Sequence, residues 1–257
     1  HINEEMLNSG ELKVYTTLDY DAQNTMEENI LNTIKDSKLQ TAAAIINPKN
    51  GAVLALTGGI NYSQSQYNRA LYSKRQVGST MKPFLYYAAL ENGMTSSSTF
   101  TSQYTTFNLS NGQTYSPKNY ANLYANKDIT MAAALAFSDN IYAVKTNLFL
   151  GVDQLIDTAH TCGIDTNLKE VASLALGTSE INLLDFADGY TTFASGGYKK
   201  NIHFINRIED KDGNVLALYR NTKFADIPEG LEDFDAQREQ LGITIFLANF
   251  VTYKVSI

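Results

Sequence analysis

The chain has 257 residues, 44% hydrophobic and 18% charged, enough for one large soluble domain or two small ones. Its net charge of −7, with acidic and basic residues interspersed, argues against a nucleic-acid groove, which gathers Lys and Arg. One cysteine, Cys162, and three scattered histidines, His1, His160 and His203, supply neither a disulfide framework nor zinc-ligand spacing, so no metal is expected.

Leu12–Leu18 alternates apolar and polar side chains, as a half-buried strand does. Asp19 is placed to cap the helix that follows, in which Met26, Ile30 and Ile34 recur at helical spacing. Thr41–Asn47 and Ala52–Thr57 flank Pro48-Lys49-Asn50-Gly51, and together they predict a hairpin that Gly58-Gly59 ends. Asn61 to Gly78 reads as a polar loop. Proline is tolerated only near a helix start, so Pro83 requires the helix through Phe84–Leu90 to begin close to Ser79. That helix is apolar nearly all round, which predicts burial, and it stops at Asn92-Gly93.

Thr95–Asn126 reads as irregular. Asp128 is expected to cap a helix over Ile129–Phe137, which Ser138-Asp139-Asn140 interrupts. Further helices are expected over Ile141–Leu150, Val152–Thr161 and Leu183–Phe193. Cys162, in an apolar neighbourhood, reads as a small core residue. Phe204–Glu209 and Val215–Tyr219 flank Asp212-Gly213, a second hairpin signal. Strands, a block of helices and strands again predict an α+β domain whose helices form a layer or subdomain of their own.

Two short motifs carry chemistry. Ser79 and Lys82, at i and i+3, share a helix face. A lysine held in a dry pocket one turn away can accept the serine proton, and the helix dipole favours a developing negative oxygen on Ser79. Gly78 lets the backbone turn tightly and a substrate approach. Ser138-Asp139-Asn140, at a helix break, can offer a second hydroxyl and an amide to a cleft. Each motif alone also reads as ordinary helix capping.

Ser-x-x-Lys followed by Ser-x-Asn resembles the signature of penicillin-binding proteins and serine β-lactamases. The context resembles the transpeptidase domain of class A, bifunctional penicillin-binding proteins. The stretches that carry the resemblance are Leu12–Asp19, Gln66–Ala70, Arg75–Phe84, Tyr115–Tyr120, Leu176–Glu180 and Phe193–Gly197, with Val77 where proline is usual. The resemblance implies the penicillin-binding fold: an antiparallel sheet flanked by helices, plus a mostly helical subdomain. Residues 1–40 then form the lead-in, 41–227 the transpeptidase domain and 228–257 an unassigned tail.

The activity implied is D,D-transpeptidation without cofactor. Ser79 attacks a stem peptide ending in D-Ala-D-Ala, Lys82 is the base, Ser138 shuttles the proton, and Asn140 holds the substrate amide. The Ser79 amide supplies half the oxyanion hole, and β-lactams acylate Ser79. Gly78 and Thr178 are expected to line the substrate site. No lysine is followed by Thr-Gly, Ser-Gly or Ala-Gly, so the family's third motif, Lys-Thr-Gly, is missing; Lys254-Val255-Ser256 is a poor stand-in. The sheet is therefore expected to be incomplete and the chain a truncated piece, which its first residue, a His, also suggests.

No stretch has the length or the leader of a membrane segment; Ile243–Val251 is short and broken by Asn249. A membrane anchor, an upstream glycosyltransferase domain and a place on the outer face of the bacterial membrane are expected of a parent protein. A D,D-carboxypeptidase, a β-lactamase-like enzyme and a non-catalytic binding module are the competing readings.

Overall fold

The structure is a computed structural model, and it describes residues 10–34, 39–109 and 112–219. These residues fall into two compact units, one built from residues before Lys74 and after Ile181, the other from Lys74–Ile181.

The first unit contains β1 (Lys13–Thr16), α1 (Tyr20–Ile34), β2 (Ala43–Ile46), β3 (Val53–Thr57), α2 (Arg69–Tyr72), α7 (Leu183–Ala194), β10 (Ile205–Glu209) and β11 (Val215–Leu218). Asp19 caps α1 as expected, accepting the Ala22 amide at 3.0 Å. β2 and β3 form the expected antiparallel hairpin, closed where the Gly51 amide donates to the Asn47 carbonyl at 2.8 Å. α1 packs against β3 and α7 against β2, so helices flank the hairpin. The far edge of β3 is covered within this unit. Leu54 accepts the Asp19 amide at 2.9 Å, and the Gln23 carboxamide bonds both the amide (2.8 Å) and the carbonyl (3.0 Å) of Leu56.

β1, β10 and β11 make a second antiparallel sheet with β10 in the middle. The alternation in β1 does not produce a half-buried strand: all four residues are exposed. Tyr15 instead lies under the Arg207 guanidinium, 4.0 Å away, and its hydroxyl donates to Glu209 at 2.8 Å.

The second unit contains β4 (Lys74–Gln76), a 3₁₀ turn (Gly78–Met81), α3 (Lys82–Glu91), β5 (Thr99–Ser102), β6 (Phe107–Asn108), β7 (Thr114–Tyr115), β8 (Lys127–Thr130), α4 (Met131–Ala136), α5 (Asn140–Leu150), α6 (Val152–Cys162), a second 3₁₀ turn (Ala172–Leu176) and β9 (Glu180–Asn182), whose last residue falls in the first unit. Its core is helical. α3 packs on α5 and α6, and α5 also packs on β5 and the second 3₁₀ turn. Phe84, Leu85, Ile141, Val144, Leu155, Ile164 and Leu174 are wholly buried, and Cys162 nearly so. Each large apolar side chain removed from water this way contributes about 2 kcal/mol. Pro83 sits in the first turn of α3, where its missing amide costs no bond.

Three further expectations are corrected. The segment from Asn61 to Gly78 is not all loop: Asn68 caps α2 through the amides of Ala70 and Leu71, and β4 pairs with β9. Thr95–Asn126 holds three short strands, β5, β6 and β7. Asp128 does not cap a helix. It lies in β8, which pairs with β5, and Thr130 caps α4 by accepting the Ala133 amide. Strand pairing with a distant segment overrode the capping preference of Asp128.

Candidate active site

Ser79 stands in the 3₁₀ turn that runs directly into α3, so it lies at the positive end of a buried helix. Before it, Gly78 adopts φ +60, a left-handed conformation that side chains disfavour. The Gly78 amide donates to the Gly177 carbonyl at 3.0 Å. Gly177 is left-handed too, and a Cβ on it would collide with the Gly78 backbone. Two glycines therefore lie backbone to backbone behind Ser79. The outer side of Gly78 is open, with nothing within 4 Å of where its Cβ would be.

Lys82 follows one turn later and is fully buried. A buried lysine nitrogen carries N–H donors that need acceptors. Its Nζ donates to the Ser138 carbonyl at 2.7 Å, the Ser138 Oγ at 3.0 Å and the Asn140 Oδ1 at 2.7 Å.

Ser138 reaches Lys82 because of how α4 ends. The Asp139 amide bonds the Ala134 carbonyl at 2.8 Å, and the Ser138 amide bonds the Leu135 carbonyl at 3.2 Å. This is a Schellman ending, whose left-handed position glycine usually fills. Here serine fills it, at φ +55, a conformation costing about 1–2 kcal/mol. In return, both oxygens of Ser138 bond the lysine.

Asp139 then opens α5. Its Oδ1 accepts the Tyr142 amide at 2.7 Å, and its Oδ2 accepts from the Ser102 hydroxyl and from Asn119 Nδ2 at 2.7 Å. Asn140 donates its side-chain NH₂ to the Lys118 carbonyl at 2.7 Å and its backbone amide to Asn119 Oδ1 at 2.8 Å. Behind this corner Tyr142 and Tyr86 meet edge to face. Burial pushes the Tyr142 phenol up to about 12. Burial first, then the charges of Tyr142 and Asp139, push Tyr86 well above its ordinary value. Both phenols are neutral supports.

Of the residues predicted from sequence, Lys82, Ser138 and Asn140 are brought into one hydrogen-bonded cluster, with Ser79 and Gly78 one turn before Lys82. Thr178 is exposed next to Gly177, and its hydroxyl donates to the Ser173 carbonyl at 3.1 Å, closing its own loop. Lys254 lies outside the described residues. Sequence reasoning assigned no role to Asn119, the Lys118 carbonyl, Ser102 or Gly177. Asn119 and Gly177 fall in stretches that carried the family resemblance; Ser102 had no signal.

A serine at the head of a buried helix, a buried lysine one turn on and a Ser-x-Asn corner bonded to that lysine define the penicillin-binding class of acyl-serine proteins. Residues 41–237 match the family described as penicillin binding protein transpeptidase domain, and the chain belongs to it. Penicillin-binding protein 2D of Bacillus subtilis is 44% identical over 217 residues, 84% of this chain and 31% of that relative. Penicillin-binding protein 1A of Escherichia coli is 33% identical over 227 residues, 81% of this chain and 27% of that relative. The chain thus spans under a third of the length of these two proteins. Among solved structures, PonA1 of Mycobacterium tuberculosis in complex with penicillin V is similar, with a TM-score of 0.73 and 26% identity over 84% of this chain and 60% of that one. Penicillin-binding protein 1A of Haemophilus influenzae has a TM-score of 0.66 and 31% identity over 74% of this chain and 29% of that one.

Proposed function

We propose that the chain carries the acyl-transfer centre of a peptidoglycan D,D-transpeptidase, with Ser79 as nucleophile, within a domain that runs over residues 41–227. The observation that carries this reading is the buried Lys82 Nζ, bonded to both Ser138 and Asn140 one turn after Ser79.

As the neutral amine, Lys82 accepts the Ser79 proton while Oγ attacks the carbonyl of the penultimate D-Ala. The Ser79 amide, in a first turn where helical amides lack intrahelical acceptors, faces the developing oxyanion. Ser138 Oγ, 3.0 Å from Lys82 Nζ, passes the proton to the leaving amine, and the peptide C–N bond breaks to release D-Ala. Asn140 orients the substrate amide. An amine from a neighbouring stem then attacks the ester; the acyl C–O bond breaks, the amine proton returns to Ser79 Oγ through Lys82, and the cross-link is released. A β-lactam enters the same sequence, but its opened ring stays attached to the acyl group. Gly78, with its open outer side, and Thr178 lie along the substrate path. The proposed setting is the outer face of the bacterial membrane, in a longer protein with an anchor and a glycosyltransferase domain; among the described residues no helix is long and apolar enough to cross a membrane.

A second reading is a non-catalytic binding module that forms no acyl-enzyme, consistent with 257 residues that hold no Lys-Thr-Gly. A fluorescent penicillin separates the two. Covalent labelling that disappears in Ser79→Ala supports the acyl-transfer centre. A folded chain that takes no label, judged by intact mass, excludes it.

A further inference from the structure

Asn140 turns the oxygen of its carboxamide toward Lys82, and the residues that fix this choice lie on another segment. The two ends of a carboxamide are nearly equal in shape, so shape alone does not choose between them. Hydrogen bonding does. Asn140 Nδ2 donates to the Lys118 carbonyl at 2.7 Å while Oδ1 accepts from Lys82 at 2.7 Å. A half-turn of the amide would set NH₂ against the lysine's donors and oxygen against a carbonyl. Two bonds would become two repulsions, one of them buried.

The Lys118 carbonyl must itself be held in place. The segment from Lys118 to Leu123 is weakly packed: Tyr120 is 92% exposed and Leu123 71%. Two consecutive residues in it, Ala121 and Asn122, are left-handed. Asn119 ties this segment down with all of its side-chain polar atoms. Oδ1 accepts the Asn140 backbone amide at 2.8 Å. Nδ2 donates to Asp139 Oδ2 at 2.7 Å and to the Leu123 carbonyl at 3.0 Å. One side chain therefore joins the Lys118–Leu123 segment to Asp139 and Asn140, the last two residues of the corner that opens α5.

We infer that Asn119 is a positioning residue for the acyl-transfer centre. It fixes the Lys118 carbonyl beside Asn140 and so keeps the oxygen of the Asn140 amide on Lys82. The inference rests on the proposed roles of Ser79 and Lys82. The residue type is demanding, because one end must accept an amide and the other must donate to a carboxylate. Aspartate keeps the shape and the acceptor, but it sets a second carboxylate against Asp139.

The test uses the chain with Asn119→Ala, Asn119→Asp, Asn140→Ala and the double variant Asn119→Ala/Asn140→Ala. The rate of labelling by a fluorescent penicillin is expected to fall at least about tenfold in each Asn119 variant. The double variant is expected to label no more slowly than Asn140→Ala alone, because Asn119 acts through Asn140. Additive losses, or wild-type labelling of Asn119→Ala, overturn the inference. A second readout needs no acylation: the side-chain NH₂ protons of Asn140 in an NMR spectrum. They are expected to exchange slowly in the wild type and fast in Asn119→Asp, which also serves if Asn119→Ala does not fold. Slow exchange retained in Asn119→Asp overturns the inference. If the wild-type chain takes no label, the acyl-transfer reading fails, and the Asn140 protons still decide the role of Asn119.

Discussion

The Gly177 carbonyl accepts the Gly78 amide at 3.0 Å, with so little room behind it that a methyl group on Gly177 would strike the Gly78 backbone. The obstruction is backbone, which cannot swing aside as a flexible side chain can. Gly177→Ala is therefore predicted to displace the turn that carries Ser79. Penicillin labelling should be lost, and stability should fall by about 2–4 kcal/mol. Gly78→Ala meets only open space and carries only left-handed strain, about 1–2 kcal/mol, so it should be the milder change. Thermal melting of the two variants, with labelling of each, checks the order.

Lys82→Met keeps the length of the side chain and removes its donors. The Ser138 carbonyl, Ser138 Oγ and Asn140 Oδ1 then each lose a partner. Acylation is predicted to vanish, with a stability loss of about 1–3 kcal/mol for the unpaired groups. A labelling rate equal to the wild type would remove Lys82 as the base.

Ser138 joins strain to function. Ser138→Ala keeps the left-handed strain and loses the hydroxyl, whereas Ser138→Gly loses both. Both variants should label far more slowly than the wild type. Ser138→Gly should nevertheless melt higher than Ser138→Ala, by the equivalent of about 1 kcal/mol. Equal melting temperatures would contradict the strain.

The two tyrosines behind the corner differ in one respect. The Tyr142 hydroxyl donates to the Ser98 carbonyl at 2.6 Å, but the Tyr86 hydroxyl has no hydrogen-bond partner among the described residues. Tyr86→Phe is predicted to be neutral or to stabilise by about 1 kcal/mol, and Tyr142→Phe to destabilise. Urea denaturation would show both signs.

Alkaline pH gives a further check. The folded chain holds Tyr142 protonated up to about 12, against an ordinary value of 10.0. Its pKa is raised on folding, so its contribution to stability is complete below the unfolded value and is lost as pH rises through the folded one. Melting temperature should fall across that window, and by less in Tyr142→Phe. Equal losses in both proteins would exclude Tyr142 as a cause.

The elements that the sequence announces most clearly are those whose ends carry their own punctuation. Pro83 and Asn92-Gly93 bracket α3, and Gly151 separates α5 from α6. β4, β6 and β7 have two or three residues each, too few to show a period. Asp128 and Thr130 both suit a cap, and only the pairing of β8 with β5 chooses between them. In the candidate site, the grouping of Lys82, Ser138 and Asn140 one turn after Ser79 was legible because their spacing resembles a signature. Asn119 was not, since an asparagine declares three donors and acceptors but not their partners. The left-handed turn at Ser138 was hidden as well, because glycine is the residue that normally signals it.

Gln23 gives the hairpin of β2 and β3 a direction. Its carboxamide occupies the place where another strand's peptide group would bond Leu56, and Asp19 takes Leu54 in the same row. The β3 margin is thereby closed to further pairing, including pairing with a second copy of the chain. A helix side chain acts as a stopper, and any strand that extends this hairpin must join it alongside β2.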